Sequence, residues 1–152
     1  MNWTKDKSIK LSIVCVYVFA LVLLAMDIFA KKLMPILDTM YDIAAVKPQY
    51  MTYFLLTVYV GSLFGWICLY KMYTLLKNLQ KGDVFTHQNV TLLRTISWCF
   101  TGAAAVAFIS GFYFRAFFLV AVCAAFMMLI VRIVKNAFQQ AVEMKDELDL
   151  TI

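Results

Sequence analysis

Residues 11–30 read LSIVCVYVFALVLLAMDIFA, a run whose single charged side chain is Asp27. An α-helix rises about 1.5 Å per residue, so roughly 20 apolar residues cross the ~30 Å hydrocarbon layer of a bilayer. This run has that length. Working outward, Pro48 to Tyr70 and Thr95 to Phe114 carry no charge at all. Ala116 to Val131 is shorter, but Arg115 and Arg132 bound it and can extend their stems to the two interfaces, and Ile133 and Val134 lengthen its reach. Peptide groups surrounded by lipid must hydrogen-bond within their own segment, which makes each crossing a helix. The expected fold is all-α: an integral membrane four-helix bundle with cytoplasmic helical extensions. Its crossings lie at about 9–30, 49–72, 95–113 and 116–134, followed by an amphipathic tail, 135–152.

Composition agrees. Of the 152 residues, 64% are hydrophobic and 15% charged, and the mean hydropathy of +0.81 exceeds what a water-facing surface carries. A net charge of +5 would suggest nucleic acid in a soluble protein, but here Lys and Arg lie along the edges of apolar runs. That placement fits a lipid bilayer as partner and argues against direct nucleic-acid binding. No linker or low-complexity tract divides the chain, so it reads as a single membrane domain. Cys15, Cys68, Cys99 and Cys123 fall in apolar runs without C-x-x-C spacing and behave as small hydrophobes.

The first run follows Lys5, Lys7 and Lys10 but is long, lacks an A-x-A-like end and precedes Lys31-Lys32, which favours an uncleaved helix over a secretory signal. Basic residues are retained on the cytoplasmic side. The amino end, middle connection and carboxyl end hold Lys5, Lys7, Lys10, Lys71, Lys77, Lys81, Arg94, Arg132, Lys135 and Lys145, against Lys31, Lys32, Lys47 and Arg115 elsewhere. The expectation is a multi-pass protein of the cell membrane with both termini cytoplasmic.

The connections differ in character. Gly111 to Arg115 is short enough to force an antiparallel hairpin. The outer connection, 31–47, is expected to hold a short helix opened by Pro35, with Leu37, Met40, Tyr41 and Ala44 on one side and Asp38 and Asp42 on another, lying along the membrane face. Leu75, Leu76 and Leu79 carry the second helix past the membrane until Gly82 stops it, and Thr86 can cap the next. Ile133, Ala137, Ala141, Met144 and Leu148 recur at helical spacing, extending the fourth helix into the cytoplasm on an apolar stripe.

Candidate sites are few. Asp27, the one acid in a membrane run, is a candidate ion site, weighed against an interfacial anchor paired with Lys31 one turn on. His87, the lone histidine, reads as a solvated first-turn residue. Asp38 and Asp42 supply too few oxygens for calcium. Gly61-x-x-x-Gly65 and the small stretch Gly102 to Ala105 with Ala107 permit close helix approach, within the monomer or at a homodimer seam. Trp66 and Trp98, with Tyr50, Tyr53, Tyr70, Tyr73 and Tyr113, suggest an interfacial belt. The acids Glu143, Asp146, Glu147 and Asp149 oppose the dipole at a helix carboxyl end, so the tail is expected to fold back toward Lys77, Lys81 and Arg94. No catalytic motif, metal set or cofactor signature occurs, and an enzyme is not expected.

Residues 82–90, GDVFTHQNV, lead into LLRTISWC at 92–99, and the chain ends ELDLTI. The G-x-x-F-x-x-x-N segment, the L-R-x-I-S-W-C that follows and the acidic ending resemble the DUF2975 family of small bacterial four-helix membrane proteins; an Asn expected before the final Asp is Leu148 here. The resemblance implies no known enzymatic activity. It implies a partner, because members are often encoded beside a small helix-turn-helix regulator of Xre/Cro type. The expected function is therefore a membrane-embedded regulatory or interaction protein. Its partner-binding cytoplasmic surface would include Lys77, Lys81, Gly82, Phe85, Asn89, Arg94, Glu147 and Asp149. A small transporter or channel working through Asp27 is the alternative.

Overall fold

The computed structural model describes residues 3–41 and 49–150. They form four helices: α1 (Trp3–Tyr41), α2 (Gln49–Gln80), α3 (His87–Ser110) and α4 (Ala116–Leu150). Each contains a stretch long and apolar enough to cross a membrane. The surface is what a bilayer would require. Leu11, Phe19 and Leu21 of α1 and Leu119, Val122 and Phe126 of α4 each expose more than 60% of their area, a density of open apolar side chains that water does not tolerate.

Consecutive helices run antiparallel and pack in chain order, α1 on α2, α2 on α3 and α3 on α4. Both described ends therefore lie at one face, called here the terminal face, and the α3–α4 turn lies at the other, the hairpin face. Tyr17 stacks against Tyr73 near the terminal face, with ring centroids 5.8 Å apart. At the hairpin face, Thr57 bonds the hydroxyls of Ser110 (2.7 Å) and Tyr113, tying the hairpin to α2. The turn is tight because Gly111 has no side chain: a Cβ there would lie 2.7 Å from the Phe118 ring.

The helices outrun the expected crossings. α1 does not end near Ala30 with a separate helix opened by Pro35; it continues unbroken to Tyr41. Proline removes one amide donor from the ladder, and a residue just beyond Lys31-Lys32 sits where other groups or water can serve the freed carbonyl. The side chains of Leu37, Asp38, Met40 and Tyr41, and all of Asp42 and Ala44, lie outside the described residues, as does the Tyr50 side chain. α3 likewise begins at His87, so the turn capped by Thr86 and the third crossing are one helix, ending at Ser110 rather than 113.

Of the small residues, Gly65 and Gly102 serve packing within the chain. A Cβ on Gly65 would meet Leu23 at 3.1 Å, and one on Gly102 would meet the Phe64 ring at 2.5 Å. Gly61 is different, with nothing within 4 Å of such an atom.

Candidate functional site

Two places concentrate the polar chemistry: the α2–α3 connection with the end of α4 at the terminal face, and Asp27 inside the bundle.

The connection is built from the motif residues upward. α2 ends in a Schellman-type closure, in which the Asp83 amide donates to the Asn78 carbonyl (3.1 Å) and the Gly82 amide to that of Leu79 (3.2 Å). Gly82 adopts a φ of 91°, a conformation that side chains disfavour. Four residues later Thr86 caps α3, its hydroxyl accepting from the Asn89 amide at 3.3 Å. Asn89 then fastens the turn. Its Nδ2 donates to the carbonyls of Asp83 (2.6 Å) and Val84 (2.8 Å), and its Oδ1 accepts from Asn78 Nδ2 (2.8 Å). Because carbonyls only accept, this amide orientation is the one that satisfies both ends.

The end of α4 closes over this turn. Phe138 stacks on Phe85 with centroids 5.6 Å apart, and Asp146 Oδ2 accepts from His87 Nε2 at 3.0 Å. Val142 lies one turn from each of these α4 residues, on the same face, and is 2% exposed; Asn89 is 0% exposed. With Val90, Leu92, Leu93 and Ile96 also buried, the densest packing of the described residues is at the terminal face. The tail does not fold back: α4 runs unbroken to Leu150, antiparallel to α3, and this brings Asp146 beside His87. Asp146 meets the first residue of α3, where the positive end of that helix's dipole favours an acid.

The expected partner surface divides accordingly. Asn89 offers no atom to a partner, being wholly enclosed, and Gly82 and Phe85 work in the closure, although Phe85 keeps an exposed edge. Lys77, whose ammonium lies 5.8 Å from the Tyr73 ring centroid, stands exposed with Lys81, Arg94 and Glu147. The Asp149 side chain lies outside the described residues. Along the apolar stripe on α4, Ile133, Met144 and Leu148 face outward, 60–68% exposed, while Val131, Phe138 and Val142 face α3. Sequence reasoning missed Asn78, Phe138 and Val142. Phe138 and Val142 share a helical face by i, i+4 spacing, a signal available but weaker than the stripe beside it.

The terminal-face geometry is what the 82–99 motif encodes, with Gly82 closing α2, Phe85 receiving Phe138 and Asn89 locking the turn. A family model described as "Protein of unknown function (DUF2975)" matches residues 25–152. The chain belongs to the DUF2975 family. The match takes in the second half of α1, all of α2 to α4 and the described terminal-face closure. Neither a curated protein nor a solved structure matches this DUF2975 chain.

Asp27 lies in the part of α1 that the DUF2975 match covers. It forms no ion pair with Lys31; its Oδ2 accepts from Trp66 Nε1 at 2.9 Å, and its Oδ1 is buried with no hydrogen-bond partner among the described residues. The pairing also sets its depth. Thr57 is bonded to the end of α3, and Trp66 follows Thr57 by nine residues. At about 1.5 Å per residue, Trp66 is about 14 Å along α2 from the hairpin turn, and Asp27, which it bonds, precedes the exposed Lys31-Lys32 pair by about 6 Å on α1. α1 runs on past Asp27, and its stretch that is apolar enough to cross a membrane ends one turn later, at Lys32. Among the described residues no group of His, Cys, Asp and Glu could hold a metal ion. Cys68 and Cys99, far apart in sequence, share one apolar cluster with Ile96.

Proposed function

We propose that this chain is a membrane-embedded regulatory or interaction protein that holds a soluble partner at its terminal face. The Lys and Arg distribution supports a cytoplasmic location for that face, in the cell membrane, with the termini inside. One observation carries the reading. Past its last lipid-facing turns, α4 is pinned by Phe138, Val142 and Asp146, yet presents Met144 (60% exposed), Leu148 (68%) and Leu150 (87%) outward. A helix fixed on one face and apolar on the other is a preformed docking ridge, and exposed apolar side chains beyond the membrane need a cover. Lys77, Lys81 and Arg94 supply positive charge beside it.

The partner we favour is a small helix-turn-helix regulator of the Xre/Cro type, which the family resemblance implies. The protein does not itself bind nucleic acid in this scheme and has no catalytic role. Crosslinking in intact membranes followed by purification should recover such a regulator with the wild type. Met144→Asp with Leu148→Asp should abolish the recovery while leaving hydrogen exchange in residues 82–90 unchanged. A regulator recovered equally with both forms, or recovered with neither, would refute the proposal.

A further inference from the structure

A half-open cavity of about 340 Å³ lies between the helices, lined by Leu23 and Met26 of α1, Gly61 of α2, Val106 of α3, and Phe117 and Val120 of α4, with Asp27 at its wall. Its volume is at the low end of small-molecule sites, which run from about 300 to 1,000 Å³. α1 and α4 both line it but nowhere approach within 8 Å, Cα to Cα, among the described residues. Between them the cavity has a side toward the lipid.

The chemistry of the wall selects the occupant. One Asp27 oxygen is held by Trp66, and the other is buried with no hydrogen-bond partner among the described residues, a costly arrangement for a carboxyl group at an apolar wall. No Lys or Arg nitrogen comes within 4.0 Å of it among the described residues. A hard metal ion would need about six oxygens. The wall adds only the hydroxyls of Thr57 and Ser62, and these already bond Tyr53 and Tyr59 carbonyls in their own helix. A lone acceptor of high charge density in an apolar chamber suits an organic cation with an N–H to donate.

We infer that this cavity binds a small lipophilic ammonium, its N–H donating to Asp27 Oδ1 and its apolar body lying against Leu23, Val106, Phe117 and Val120. The site stands apart from the terminal-face partner, and either can fail without the other. A protonated amine can come from a free lipophilic amine or from an ethanolamine lipid headgroup, and the test separates these.

The full chain with Trp3→Phe and Trp98→Phe leaves Trp66, the residue bonded to Asp27, as the reporter. In phosphatidylcholine nanodiscs, N,N-dimethyloctylamine should change Trp66 emission saturably. The uncharged isostere 2-methyldecane should produce only a shallow, non-saturating change from partitioning. Asp27→Asn keeps an oxygen for the Trp66 N–H and should weaken amine binding at least tenfold. Gly61→Leu, whose Cβ would stand in open space, puts an isobutyl group at the cavity wall and should abolish saturation while preserving the Trp66 baseline. Competition by added phosphatidylethanolamine would support the site with a lipid amine as its source, and its absence would support a free amine. Equal binding by the Asp27→Asn variant, equal saturation by 2-methyldecane, or unaltered binding by the Gly61→Leu variant would each overturn the inference.

Discussion

Replacing Asn89 with alanine should unfasten the terminal-face turn while leaving the membrane crossings intact. The side chain is fully enclosed and makes three hydrogen bonds, to Asn78 and to the carbonyls of Asp83 and Val84. Each buried bond contributes about 0.5–1.5 kcal/mol net, so losing three costs about 3 kcal/mol, less whatever Asp83, an exposed residue, recovers by turning its carbonyl to water. At about 1.4 kcal/mol per factor of ten, local opening should become about a hundredfold more frequent. Hydrogen exchange in nanodiscs reads this directly at the amides of Asp83, Val84, Asn89 and Val90, all of which are bonded within the turn. Amides around Thr57 and Ser110, at the opposite face, should not change. Asn89→Asp tests the chemistry further, because it keeps the shape but sets a carboxylate against two carbonyl oxygens; it should lose at least as much protection. If Asn89→Ala exchanged within about threefold of wild type at these amides, the bonds drawn here would not be what holds the turn.

Three further outcomes follow from the packing. His87→Ala should change exchange in the same region only slightly, because both partners are largely exposed (79% and 52%) and such pairs contribute about 0–1 kcal/mol; an effect matching Asn89→Ala would make the docking electrostatic. Val142→Ala removes buried methyl groups at a cost of about 2 kcal/mol and should raise exchange in residues 83–90 and 135–146 together, whereas a change confined to one segment would show that they open independently. Gly102→Ala drives a methyl into the Phe64 ring and should lower resistance to thermal and detergent denaturation by about 1–3 kcal/mol, while Gly61→Ala, facing open space, should leave it unchanged; the reverse order would refute the helix packing described here.

Much of this fold is legible in the chain because its strongest determinants are local. Run length and hydropathy locate the crossings, and the stop at Gly82 and the cap at Thr86 depend on conformations those residues favour by themselves. What depends on register is not legible. Trp66 finds Asp27 across 39 positions, and no local pattern announces it. Nor can spacing say which side of α4 has a neighbour: Ile133, Met144 and Leu148 repeat as regularly as Val131, Phe138 and Val142, yet the first set faces outward. In a membrane protein an apolar stripe marks contact with lipid or protein alike, so the rule that apolar faces turn inward loses its force. The motif residues serve a different end from the one the sequence suggests: Asn89 is a fastening rather than a contact surface.

The closure of Phe138 and Val142 over the Asn89 turn also decides what kind of solvent can dismantle the molecule. Between lipid tails, helices gain nothing from expelling water; at the water-facing closure they do. Urea supplied from that side should therefore release the clasp and splay α4 from α3 at doses that spare the crossings, whereas a mild detergent that replaces lipid should leave the clasp shut.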